Sequence, residues 1–249
     1  MTNISRFLLG SVFAASASIC QADVIGLYSG VGIWQSDSSG NVGKSAINTN
    51  DLGIDDSNSN FIYVAVEHPL PFIPNLRLQQ TSLDQDGTST IDSGFTSDDV
   101  TFAAGDMLRT TLDLTHQDIV LYYEILDNWV NLDLGISFRR FDGALKVTSG
   151  NQQESISLEG FLPMVYGDAQ FDLPLTGLSF GATVTGTQFN HDTVTDYSVR
   201  LAYQSDIIPF MDLGIEAGYR EMTLDMDELD DLQADLTING PYAAVTLHF

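Results

Sequence analysis

The stretch Val130-Asn131-Leu132-Asp133-Leu134-Gly135-Ile136-Ser137-Phe138-Arg139 interleaves two rows, one apolar and one small, polar or charged. A period of two belongs to an extended strand, whose successive side chains leave opposite faces. The pattern returns at Leu178, Phe180, Ala182 and Val184, again at Tyr197, Val199, Leu201 and Tyr203, and again at Leu213, Ile215, Ala217 and Tyr219. Between them lie Ser179, Gly181 and Thr183, then Ser198 and Arg200, then Glu216.

Alternation alone fits a soluble sandwich as well as a membrane barrel. Length separates them. Segments 130–147 and 153–171 far exceed the roughly five or six residues of a globular strand, whereas a tilted strand needs about nine to eleven to cross a bilayer. The polar rows carry both signs of charge, Asp133 with Arg139 and Glu216 with Arg220, as a narrow lumen would. Lipid cannot satisfy an open sheet edge, so a spanning sheet must close. The expected fold is all-β, a closed antiparallel up-and-down transmembrane β-barrel.

About ten strands are expected, at 23–35, 60–68, 75–84, 109–126, 129–147, 153–171, 177–189, 193–205, 211–224 and 234–249. Eight is the alternative, with a separate hairpin in the link before Arg109. Tight turns at 67–71, 127–128, 172–174 and 208–209 face longer links at 36–59 and 85–108, which puts both termini on the short-turn, periplasmic side. Pro163 and Gly240-Pro241 read as bulges, the latter because the apolar row changes phase there, from Leu236 and Ile238 to Ala243 and Val245.

Arg6, the short apolar run 7–15 and Cys20-Gln21-Ala22 before Asp23 have the order of a secretory leader, so 1–22 is expected to be removed and 23–249 to form a single outer-membrane barrel domain. Cys20 is the sole cysteine, which leaves the mature chain without disulfides. With 34 acidic against 9 basic residues and a formal charge of −25, nucleic acid is excluded as a partner, because phosphate binding needs a basic face. An apolar fraction of 43% argues against disorder.

The start Asp23-Val-Ile-Gly-Leu-Tyr-Ser-Gly-Val-Gly-Ile-Trp34 and the turn Glu67-His68-Pro69-Leu70-Pro71-Phe72-Ile73-Pro74-Asn75 resemble a family of small outer-membrane β-barrels of unknown function, distantly similar to the OmpW-like barrels. The last residues resemble the signal read by the barrel-assembly machinery, carried by Tyr242, Leu247 and Phe249. Ala244 stands where that signal prefers glycine, and Leu247 where it prefers an aromatic. The resemblance implies location and fold, and transfers no catalytic residue.

The expected lumen-lining residues are Asp133, Arg139, Asp196, Arg200, Glu216 and Arg220, paired so as to narrow the passage. Asp225, Asp227, Glu228, Asp230 and Asp231 form an acidic loop, with Asp98 and Asp99, and Asp51, Asp55 and Asp56, in earlier ones. Such carboxylates suit weak capture of divalent cations, although a solvated, mutually repelling rim explains them better and no calcium-loop spacing is present. Glycines 26, 30 and 32 lack the lysine and helix start of a phosphate loop and read as room for large neighbours. Tyr122, Tyr123, Trp129, Tyr166, Tyr197, Tyr203 and Phe249 read as interface girdles.

His116, between Asp113 and Asp118 near the outer end of its strand, is the nearest approach to acyl chemistry on lipid, but no G-x-S-x-G elbow accompanies it. The expected function is therefore a narrow passive pore or structural component of the outer membrane. The alternatives are an adhesion or binding protein using the acidic loops, and a lipid-modifying enzyme at His116. No cofactor or metal site is expected. The implied partners are outer-membrane lipid, the assembly machinery and divalent cations.

Overall fold

A computed structural model describes residues 25–249 apart from 44, 55, 98–99, 190–191, 209–210 and 227–232. The leader 1–22, the start at Asp23, Asp55, Asp98, Asp99, His191 and the loop acids Asp227, Glu228, Asp230 and Asp231 lie outside the described residues.

The strands are β1 (Gly26–Val42), β2 (Ile47–Asn48), β3 (Ser57–Glu67), β4 (Asn75–Ser82), β5 (Asp84–Thr90), β6 (Phe95–Ser97), β7 (Val100–Phe102), β8 (Met107–Asp113), β9 (His116–Leu126), β10 (Val130–Ser149), β11 (Gln152–Asp172), β12 (Leu178–Phe189), β13 (Asp192–Ile208), β14 (Met211–Met226) and β15 (Ala234–His248). All barrel pairings are antiparallel, and β10 with β11 closes the ring that runs β11-β12-β13-β14-β15-β1-β3-β4-β9-β10. β5 prolongs β4 and β8 precedes β9, and this second pair continues the wall upward on β10. The barrel therefore has ten strands among the described residues, two of them interrupted. At the interruption the Leu83 amide donates to Thr115 Oγ1 and the Leu114 amide to the Leu83 carbonyl, and both leucines are fully buried inside.

The start of β1 and the end of the chain meet at the short-turn rim, where Leu27 and Phe249 exchange backbone hydrogen bonds of 3.1 and 2.9 Å. The links expected at 36–59 and 85–108 are largely strand instead. β1 runs on to Val42, while β5, the β6–β7 hairpin and β8 occupy most of the second. Polar residues such as Ser36, Ser38 and Gln85 masked these continuations, since they face inward and hydrogen-bond one another.

Neither expected bulge occurs. Phe138 pairs Pro163, and Tyr219 and Arg220 pair Pro241 and Gly240, in unbroken register, while on the β1 side the ladder skips Gln35 and Ser36 opposite Pro241 and Gly240 and resumes without a shift. The phase along β15 is constant: Leu236 and Ile238 face in, Ala243 and Val245 face out. What changes is the surroundings. Gly240, at φ +155°, lies so close to the Gln35 carbonyl that a Cβ would stand 1.8 Å from its oxygen. A glycine is required by that approach.

The same inversion runs around the ring. Toward the short-turn rim the outward row is apolar and exposed, with Val31, Ile62, Leu134, Val165, Val199 and Ile215, and the inward row is polar. Toward the other rim Arg140, Asp142, Lys146, Ser155, Asp225 and Asp235 face outward, while Phe141, Leu145, Leu158, Leu112, Met222 and Leu236 are buried inside. Leu52, Ile54 and Phe102, from the connections after β1 and β5, join this apolar core. β10 and β11 have 20 and 21 residues, which at about 3.3 Å per residue and a tilt of about 40° rise on the order of 50 Å. An apolar band on such barrels is about 25 Å tall, so roughly half of the wall stands beyond it.

Candidate functional site

Below the apolar core the lumen opens into a chamber of about 300 Å³ that reaches the short-turn rim. Its walls are built by the inward positions of the ring, because alternation sends every second residue there.

The ceiling is an ion network. Arg139 donates from Nε and Nη2 to the two oxygens of Asp118 at 2.7 and 3.0 Å, and from Nη2 to Asp196 at 2.7 Å. Arg220 holds both oxygens of Asp196 at 2.9 and 2.6 Å and stacks over the Trp34 ring, 4.6 Å from its centroid. Two carboxylates thus face two guanidiniums, all almost wholly buried. Burying charge costs several kcal/mol per ion unless it is matched, and forked Arg–carboxylate geometry supplies that match.

His116 belongs to this ceiling. It is fully buried, with Nδ1 2.9 Å from the Leu114 carbonyl and Nε2 3.5 Å from Arg220 Nη2. Nδ1–H donates to the carbonyl, which leaves Nε2 to accept from Arg220. The expected lipid-facing position is therefore corrected: the imidazole points into the barrel beside Phe141, and its lone pair is turned toward a guanidinium. Asp118 shares this inward face, as residues two apart on a strand do, whereas Asp113 belongs to the opposite row.

Lower down, Arg200 grips Asp168 with two bonds of 2.8 Å and donates to Thr183 at 2.9 Å and Gln170 at 3.2 Å. Arg77 is different. Its guanidinium lies 3.8 Å from the Tyr63 ring centroid and donates to Gln79 at 2.9 Å, with no carboxylate in ion-pair distance among the described residues. Asp133 and Glu216, also in the wall, have no hydrogen-bond or ion-pair partner among the described residues. Near the mouth Tyr122 donates to Glu67 at 2.8 Å, Asn75 to Glu124 at 3.2 Å, and the Tyr28 and His248 rings stack at 4.1 Å. Carboxylates outnumber guanidiniums in the lining, so the chamber is acidic.

The residues named as lumen-lining, Asp133, Arg139, Asp196, Arg200, Glu216 and Arg220, all border this chamber. Their pairing differs from expectation. Arg139 takes Asp118 and Asp196 rather than Asp133, and Arg220 takes Asp196 rather than Glu216, because partners come from other strands and not from the same one: Asp118 stands opposite Arg139 on β9, Asp196 on β13 neighbours Arg220 on β14, and only the Arg139–Asp196 bond spans the lumen. Arg77 and Asp168 escaped notice, and Asp118 was read only as a neighbour of His116. The signal was present, since Leu76 and Leu78 flank Arg77 in the same alternation.

Tyr122 and Tyr166, expected in girdles, are buried in the lumen against each other. Tyr123, Trp129, Tyr197, Tyr203 and Phe249 do face outward. Gly30 and Gly32 lie under the rings of Tyr63 and Phe61, where a Cβ would come within 2.4 and 2.3 Å. Asp225 is exposed on the outer wall of β14. Of the terminal residues, Tyr242 is buried inward and Phe249 half-exposed at the rim. Among the described residues no group of three or more His, Cys, Asp or Glu side chains is placed to hold a metal ion.

Several solved structures are similar to this chain over most of its length. One is the outer membrane protease OmpT from Escherichia coli, 12% identical, covering 91% of this chain and 96% of that one with a TM-score of 0.46. Others are the transport unit of the autotransporter AIDA-I from Escherichia coli (12%, 96% and 93%, TM-score 0.40) and a FadL homologue from Pseudomonas aeruginosa (10%, 91% and 90%, TM-score 0.35). No protein-family model matches the sequence, and no curated protein does.

Proposed function

We propose that this chain is an integral outer-membrane barrel whose lumen is a blind chamber open to the periplasm, not a through-pore. The observation that carries this reading is the apolar core of the outer half, with Leu108, Leu112, Phe141, Leu158 and Met222 buried where a channel would run. The buried Arg139–Asp118–Asp196–Arg220 network underlies it. An ion crossing would have to break that network and then enter a region with the packing of a protein interior.

The exposed apolar belt supports membrane insertion, because a monomer in water does not carry so large a patch. The first and last strands meet at the short-turn rim, the rim that faces the periplasm in barrels of this kind, and this supports a mouth opening there. The leader 1–22, lipid contact, delivery to the assembly machinery through Tyr242, Leu247 and Phe249, and kinship with the OmpW-like barrels belong to the same reading and rest on the sequence. Cation capture by the acidic outer loop is a separate reading. Its residues 227–231 lie beyond what the geometry describes.

Purified protein in planar bilayers should be electrically silent at moderate voltage. Regular open-channel steps from the wild type would overturn the blind chamber.

A further inference from the structure

The geometry points to the chamber as a binding site for a small zwitterion with an extra cationic group, of the class of a basic amino acid. This inference rests on the chamber opening to the periplasm, and it adds what the chamber holds.

The argument starts from which charges are already used. Arg139 and Arg220 are consumed by Asp118 and Asp196, and Arg200 by Asp168. Arg77 remains. A planar fork with most of its N–H groups unmatched, held flat against Tyr63, is preorganised for a carboxylate. Glu216 and Asp133 remain on the acidic side, each without a partner among the described residues. Glu216 and Arg77 both line the chamber, so the free anion and the free cation share one compartment without closing into a salt bridge among the described residues. The lining as a whole is acidic, and Glu67 and Glu124 stand near the mouth. A ligand bearing only a carboxylate would meet that excess unfavourably. A ligand bearing only ammonium groups would leave Arg77 unmatched. One carboxylate with two ammonium groups completes both sets. A volume of about 300 Å³ lies at the lower limit of small-molecule pockets, roughly 300–1,000 Å³, which suits an amino acid and excludes a folded partner.

Calorimetric titration of the purified full barrel with lysine, cadaverine and acetate tests this. Lysine should bind saturably and more tightly than cadaverine, which has the two ammonium groups and lacks the carboxylate. Arg77→Gln should weaken lysine by about tenfold or more, the loss expected of a charge-assisted pair, while changing cadaverine by less than about twofold. Arg77→Lys should recover part of the loss. Glu216→Gln should weaken lysine and cadaverine alike. Unchanged cadaverine binding in Arg77→Gln also shows that the variant is folded. No saturable lysine binding, or equal lysine affinity in wild type and Arg77→Gln, overturns the inference.

Ser198 lines the chamber, and the sole native cysteine, Cys20, lies in the predicted leader, so Ser198→Cys gives a single thiol for a cationic methanethiosulfonate. Labelling without lysine binding leaves the chamber standing and removes the ligand. Failure of both removes the chamber as well.

Discussion

Along β10 the outward row reads Leu134, Ile136 and Phe138 and then Arg140, Asp142 and Lys146, while the inward row passes from Asp133, Ser137 and Arg139 to Phe141, Leu145 and Val147. The backbone does not change phase between the two halves. In the half nearer the termini the outside is greasy and the inside wet. In the far half the assignment is that of an ordinary soluble protein. Solvent on the outside explains the exchange: where lipid ends, an apolar outward row gains nothing, and the interior becomes the cheaper place for leucine. The buried ion network sits at the changeover, closing the wet compartment against the dry one.

The largest way to break this contrast is at the changeover itself. Asp196→Ala strips the shared partner from Arg139 and Arg220 and leaves buried guanidinium charge unmatched, at about 3–5 kcal/mol. Urea unfolding in lipid vesicles should show the loss, and a midpoint within error of wild type would mean that water reaches the network freely.

A second comparison introduces one residue at two heights on the outer wall. Val199→Lys, in the middle of the apolar belt, should cost about 2–4 kcal/mol, the penalty of lysine near a bilayer midplane. Asn58→Lys, exposed on the far half, should stay within about 0.5 kcal/mol of wild type, as surface changes do. Equal costs would dissolve the distinction between the halves.

The smallest effect concerns Asp84, on the exposed face of the far half. Partial burial and the Asp113 carboxylate across the β5–β8 pair raise its pKa above the ordinary carboxylate value. A raised carboxylate favours the folded state while protonated, and that contribution is lost as pH rises through the folded-state value. Asp84→Asn should therefore raise stability at neutral pH, by no more than about 0.5 kcal/mol after solvent screening, and the gain should vanish in acid. Paired unfolding curves at the two pH values would sharpen or remove this difference.

Strand positions were legible because a period of two survives in any single segment. The 130–147 and 153–171 readings differ from β10 and β11 by at most two residues at their ends. Wall residues such as Asp133, Arg200 and Glu216 follow from the same period. The extension of β1 to Val42 was not legible, since Ser36, Ser38 and Gly40 read as loop until Gln85 of a distant strand satisfies the two serines and the Thr49 amide donates to the Gly40 carbonyl. His116 misled for a related reason. A histidine between two aspartates says nothing about which face it takes until the neighbouring strands are placed.

By itself, then, the sequence determined the alternation, a strand number near ten and which residues of one recognised segment share a face, all of which are local consequences of extended backbone geometry. The tertiary structure alone decided which charges meet, that among the described residues no carboxylate comes within ion-pair distance of Arg77, and that the outer lumen is filled. Those outcomes depend on register and closure, which bring Arg139 to Asp196 across a separation of 57 residues, and no segment carries that information in its own pattern.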